Sequence, residues 1–148
     1  MTKWWVWGLG GVVALAVALP LLSMLYAAVR NPSVERELMD DPQGETAQKV
    51  MLIGLPSGRR LPVNYLQEDG RLYAGADGRW WRELEAGPRV VQVLVRGETF
   101  EGRARAVLDD PDYTKDVFSR LRPTAVPGFG TLVEILIDPN DEPGPAKR

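Results

Sequence analysis

The chain has 148 residues, enough for about one domain, with a net charge of −2 and a pI near 5.2. It contains no cysteine and no histidine. Those absences exclude disulfides, Cys/His zinc sites, cysteine nucleophiles, Ser-His-Asp triads, histidine-ligated haem and histidine general bases. The acidic balance and the lack of a basic run argue against a nucleic-acid partner.

From Trp4 to Val29 no charged residue occurs, and Lys3 and Arg30 bracket the run. It is long enough to cross about 30 Å of hydrocarbon as a tilted helix. Trp4, Trp5 and Trp7 stand at one end and Tyr26 near the other, as an aromatic belt requires. The run exceeds the roughly 7–15-residue apolar core of a signal peptide, and Tyr26-Ala27-Ala28 makes a poor cleavage site. The expectation is therefore an uncleaved transmembrane anchor over residues 1–30. Gly8, Gly10 and Gly11 allow close packing with other membrane helices, and Pro20 marks a kink. The flanking charges do not set the orientation.

Residues 31–48 are polar and acidic, with Pro32, Pro42 and Gly44. A short helix is expected from Val34 to Met39 and linker elsewhere. The tail from Asp138 to Arg148 has three prolines and little apolar content, so residues 139–148 are expected to be disordered.

Between these, over residues 49–138, lies a run of strand-like segments. Lys49–Leu55 is apolar, and Leu61–Leu66 follows Pro56-Ser57-Gly58. Asp69-Gly70 is a turn signal, with Arg71–Ala76 as the partner strand. Val90–Arg96 alternates with Val91, Val93 and Val95 on one face; Gly97-Glu98 stands where a hairpin turn belongs, and Thr99–Leu108 returns. Thr131–Ile137 closes the set. About six strands suit a small barrel or a strongly curved sheet. Two helices interrupt them: Trp80–Glu85, stopped by Ala86-Gly87-Pro88, and one opened by Asp110-Pro111 and running to Leu121.

The string from Gly54 to Leu84 carries more than strand pattern. It contains the turn Gly54-Leu55-Pro56-Ser57-Gly58-Arg59, a strand reaching Tyr65, the Asp69-Gly70 hairpin, and the helix start Gly78-Arg79-Trp80-Trp81-Arg82-Glu83-Leu84. In order and spacing it resembles the split-barrel family of flavin- and deazaflavin-dependent nitroreductases and quinone reductases, over residues 49–137. The resemblance implies a mainly β (α+β) split barrel of about six strands with two short helices, preceded here by one transmembrane helix. It also implies FMN or a deazaflavin coenzyme, hydride transfer to a quinone or nitro-type acceptor, and barrels paired as a homodimer. The chain departs from the family in three places: the segment from Ser57-Gly58 to Pro62 is shorter, Glu83 replaces an asparagine, and residues 122–130 lack the tyrosines that cover the substrate in many members.

Ser57, Gly58, Arg59 and Arg60 form the candidate cradle. A glycine-containing turn brings backbone N–H groups close to a phosphate, and arginine adds a charge-assisted clamp. Read from the residues alone, they equally make a solvated turn with two surface arginines. Trp80 and Trp81 are adjacent in a helix and so point different ways; one is expected in the core, and the other is free to stack on a flat ring or to pack at the rim. Arg79 and Arg82 suit a phosphate or the membrane surface. Tyr65 and Tyr73 suit a flavin edge or barrel packing. Glu83 would repel a phosphate and is expected to pair with an arginine.

Two functions remain open from the sequence. One is a membrane-anchored oxidoreductase whose cofactor-binding residues are Ser57, Gly58, Arg59, Arg60, Tyr65, Arg79, Trp80 and Trp81, placed on the cytoplasmic face because flavin-type cofactors are available there. The other is a non-catalytic membrane-anchored barrel that binds a ligand or partner, or serves as an assembly subunit through its glycine-bearing helix.

Overall fold

The computed structural model describes Leu22, residues 31–126 and residues 128–137. The apolar run from Trp4 to Val29, Leu22 apart, and the tail from Asp138 onward lie outside the described residues. Among the described residues no helix is long and apolar enough to cross a membrane. The chain divides between Val34 and Glu35, and among the described residues every strand lies in the second unit.

Six strands form that unit: β1 (Val50–Gly54), β2 (Arg60–Glu68), β3 (Arg71–Ala76), β4 (Arg89–Val95), β5 (Glu98–Val107) and β6 (Thr131–Ile137). They close into an antiparallel barrel in the order β1-β2-β3-β6-β5-β4. The seam between β1 and β4 is short, pairing Leu52 with Leu94, Ile53 with Val93 and Gly54 with Gln92. The pleat sends alternate side chains inward. Val91, Val93 and Val95 of β4 are buried there with Met51, Ile53, Leu72, Ala74, Val133 and Ile135.

The hairpin turns follow local chemistry. Asp69 and Gly70 join β2 to β3 with φ of 49° and 72°, the double positive φ of a type I′ turn. Arg96 and Gly97 do the same between β4 and β5, at 48° and 84°. The turn therefore lies one residue earlier than the expected Gly97-Glu98. Gly97 is also constrained from outside, because a Cβ there would stand 2.7 Å from Pro42 Cβ.

β6 is buried on both faces. Its outward residues Leu132 and Glu134 lie beneath α3 (Pro111–Leu121), and Leu132 joins Tyr73, Val107 and Val117 in a second cluster outside the barrel. α3 starts as the sequence requires: the Asp110 carboxylate accepts the Tyr113 N–H at 2.9 Å, with Pro111 next. Glu134 is the one buried acid among the described residues. It accepts from Arg71 Nη1 at 2.9 Å, Arg105 Nε at 2.7 Å and the Tyr113 hydroxyl at 3.1 Å; that hydroxyl also shares a 2.9 Å hydrogen bond with Tyr73. A buried carboxylate is tolerable only when several donors satisfy it, and this set also fastens α3 to β3, β5 and β6.

The stretch expected to be mostly linker is structured. Residues 31–40 are helical (α1), and Glu45–Lys49 adds a short α2 whose Ala47 is buried. Glu35 pairs with Arg60 at 3.0 Å, Leu38 is buried, and Gln43 donates to the Arg96 carbonyl at 3.0 Å. Residues 35–49 thus run along the outside of the barrel from one end to the other.

Removing the Glu134 charge tests the clasp. Glu134→Gln leaves Arg71 and Arg105 without their carboxylate and should lower stability by about 2 kcal/mol; an unchanged denaturation midpoint would contradict the assignment. Burial, with help from Tyr73 and Glu134, pushes the Tyr113 hydroxyl well above its ordinary value. A pKa raised on folding gives stability that is complete below the unfolded value, about 10, and is lost as pH rises past it. Stability should therefore fall on the alkaline side, less steeply in Tyr113→Phe, as urea midpoints across that range would show.

Candidate functional site

The chain leaves β1 at Gly54 and returns at Arg60 through a tight turn. Leu55 N–H donates to the Arg59 carbonyl at 2.8 Å, Gly58 N–H donates to the Leu55 carbonyl at 2.9 Å, and Gly58 has φ 86°. Only glycine adopts that φ without strain. The turn sits at the upper end of the barrel, where β1, β3 and β5 finish and β2, β4 and β6 begin.

The same end is stoppered by a 3-10 helix, Arg79–Leu84. Leu84 is fully buried in the barrel core, and Trp80 and Trp81 both pack half-buried against it. The sequence left open whether the second ring stacks on a flat ligand or both rings pack at the core or rim; in the fold both pack half-buried against the core. Arg82 lies over the Trp81 ring, 5.8 Å from its centroid. Arg79 makes no ion pair among the described residues.

Glu83, beside the buried Leu84, emerges at the rim and meets the turn. Ser57 N–H donates to Oε2 at 3.1 Å, Ser57 Oγ donates to Oε1 at 3.0 Å, and Arg59 Nη2 stands 3.3 Å from Oε1. Three donors of the expected cradle therefore converge on one anionic group, and that group belongs to the protein. Glu83 finds the arginine partner expected for it, and a serine besides.

The remaining candidates separate. Arg60, the first residue of β2, turns to Glu35 instead of to the cradle. Tyr65 points into the barrel toward the lower end, donating to the Ala47 carbonyl at 3.2 Å and accepting from Arg96 Nη1 at 2.9 Å. Burial raises its pKa, and Arg96 offsets part of that. Tyr65 is thus a corner post between α2 and the β4–β5 turn, where Arg96 also donates to Gln67 at 2.8 Å. Tyr73 is held under α3. The expected eight-residue site reduces to Ser57, Gly58 and Arg59 facing Glu83, with Arg79, Trp80 and Trp81 on the same short helix. Glu83 belongs to the site and was legible only as a departure from the family motif.

No family model matches the chain, and no curated protein matches it. Among solved structures, General Stress Protein 26 from Bacillus anthracis str. Sterne aligns at 21% identity and a TM-score of 0.44, over 70% of this chain and 88% of that one. A candidate pyridoxamine 5'-phosphate oxidase from Listeria innocua aligns at 15% identity and a TM-score of 0.50, over 61% of this chain and 84% of that one. The Listeria likeness is one of fold: the six-stranded barrel described here is a split barrel.

Proposed function

We propose that this chain is a membrane-anchored split-barrel oxidoreductase whose Ser57–Arg59 turn receives the phosphate-bearing tail of a flavin-type coenzyme, FMN or a deazaflavin. One observation carries the reading: the Ser57 N–H, the Ser57 hydroxyl and the Arg59 guanidinium already converge on a single anion. A carboxylate at that point stands in for the anionic group that such a turn suits. Its hold is modest. The Arg59 side chain is 57% exposed and that of Glu83 26%, so the ion pair contributes at most about 1 kcal/mol. A phosphate brings more charge and more acceptor oxygens to the same donors, so exchange is favourable when the coenzyme is present.

When bound, the coenzyme supplies hydride transfer to an acceptor. The protein's own part is positional. Ser57 and Arg59 hold the anionic end, Gly58 lets the backbone approach, and the 3-10 helix with Trp80 and Trp81 keeps water out of the barrel. No histidine or cysteine is required, which suits this composition. The anchor expected over residues 1–30 favours a lipid-soluble acceptor such as a quinone over a soluble nitro compound.

A second reading has its own support. Glu83 fills the cradle and both tryptophans pack on the core, which describes a permanently closed barrel acting as a non-catalytic membrane-bound interaction module.

Titration of the full chain with FMN and with a deazaflavin coenzyme, followed by fluorescence quenching, separates the two. The oxidoreductase reading expects one of them to bind with a Kd on the order of micromolar, weakened about tenfold or more in Ser57→Ala/Arg59→Ala. Glu83→Gln should tighten binding, because the competing charge is gone. Failure of both the wild type and Glu83→Gln to bind either coenzyme would leave the interaction module.

A further inference from the structure

The two ends of the barrel expose different chemistry. At the upper end β5 runs out into exposed Leu108, and the loop from α3 to β6 presents Val126 and Phe129, 69% and 74% exposed. That loop is tied to the upper end on both sides. Arg122 donates to Asp77 and to the Gly75 carbonyl, and Gly130 lies so close to Ala76 that a Cβ there would stand 3.1 Å from its carbonyl oxygen. Arg79 and Arg82 stand on the 3-10 helix at this end and Arg89 opens β4 beside it; Arg79 and Arg89 have no ion-pair partner among the described residues. Of the acids here, Asp77, Glu83 and Asp110 are engaged by Arg122, by the Ser57 turn and by the α3 cap. Glu85, Asp109 and Asp112 remain. The lower end carries the hairpin turns Asp69-Gly70 and Arg96-Gly97. The other exposed apolar residues of the second unit, Met39, Val90 and Leu136, stand singly on α1, on β4 and on the β6 wall, as is normal for a protein surface.

The chain also enters at the upper end. Glu35, where the second unit begins, is held to Arg60 at the start of β2. From there the chain descends to Gln43, which reaches the Arg96 carbonyl at the lower end. The second unit therefore begins at the upper end, next to the start of β2.

From these two observations we infer that the upper end docks on the headgroup surface of a bilayer containing anionic lipid. Phe129 and Val126 enter the interface, and Arg79, Arg82 and Arg89 face the lipid phosphates. Aromatic and arginine side chains are the groups that settle at that depth. With Glu85, Asp109 and Asp112 nearby, the charges of this end nearly balance, so the apolar side chains carry the docking and the arginines, on their longer stems, are the groups that reach the lipid phosphates. The inference rests on the N-terminal run being a membrane anchor and is independent of whether a coenzyme binds. It places the candidate site at the membrane surface, so that an acceptor dissolved in the bilayer reaches it without crossing water.

The chain has no cysteine, so single cysteines report cleanly. Phe129→Cys, Val126→Cys and Asp69→Cys are labelled with an environment-sensitive fluorophore in the full-length protein and reconstituted into vesicles of phosphatidylcholine with phosphatidylglycerol, carrying a headgroup-region nitroxide lipid. Labels at 129 and 126 should be quenched several-fold more than the label at 69. Arg79→Glu/Arg82→Glu should reduce that difference in phosphatidylglycerol vesicles and leave it unchanged in phosphatidylcholine alone. Equal quenching at all three positions would overturn the inference. Recovery of the protein in the soluble fraction would overturn it by removing the anchor. Self-quenching at 129 that grows with the protein-to-lipid ratio would overturn it in favour of a second copy of the chain on this face. Lipid quenching is read without coenzyme, so these outcomes are distinct from a failure of the oxidoreductase reading.

Discussion

The seam at which β4 meets β1 governs the rest of the molecule. Three residue pairs close the sheet there, and closure removes both of its edges. A closed barrel of this size fills its interior with side chains but leaves two open ends. Each end must then be sealed by something other than a strand. At the lower end the seal is α2 with Tyr65 and Arg96. At the upper end it is the 3-10 helix, with Leu84 sunk into the core and two tryptophans beside it. Because that helix is only six residues long, the residue before Leu84 is forced out at the rim, and the rim is where the β1–β2 turn stands. The meeting of Glu83 with Ser57 and Arg59 is therefore a consequence of how the barrel is stoppered.

That consequence gives the upper end a double character. The donors of the turn are arranged for an anion, and the stopper supplies one. An internal carboxylate on a half-exposed arginine is weakly held, so the same contact satisfies the turn and, on the function proposed above, gives way to a stronger anion. The opposite side of the barrel shows what a permanent arrangement looks like in this fold: Glu134 is buried and takes donors from three elements at once, Arg71 of β3, Arg105 of β5 and Tyr113 of α3, whose hydroxyl is also hydrogen-bonded to Tyr73. Glu83 is more exposed, and its partners come from the single turn Ser57–Arg59.

Local patterns in the sequence were enough to place the strands. β3 and β6 lie where Arg71–Ala76 and Thr131–Ile137 were expected, because a turn signal and a change of polarity bound each. The α3 start was legible because Asp110-Pro111 acts on its immediate neighbours. What escaped depends on contacts distant in the chain. α2 has no side-chain cap and is read as linker until the barrel is there to bury Ala47. The sequence left Tyr65 open between a flavin edge and barrel packing; Ala47 and Arg96, far along the chain, decide where its hydroxyl goes. Adjacent helical residues were expected to diverge, yet a 3-10 helix seated on a barrel mouth turns both Trp80 and Trp81 toward the core. The partner of Glu83 lies 26 residues away, beyond any local rule, although its departure from the family motif marked it as a position to explain.

The central claim is that the Ser57 turn is an anion site held by an exchangeable Glu83. Its most direct test is a titration of the isotope-labelled full chain with inorganic phosphate, following the Ser57, Gly58 and Arg59 amide resonances by NMR. The account predicts saturable shifts at those amides, at lower phosphate concentration in Glu83→Gln than in the wild type, and their loss in Ser57→Ala/Arg59→Ala. Amides that do not respond to phosphate in Glu83→Gln would contradict it.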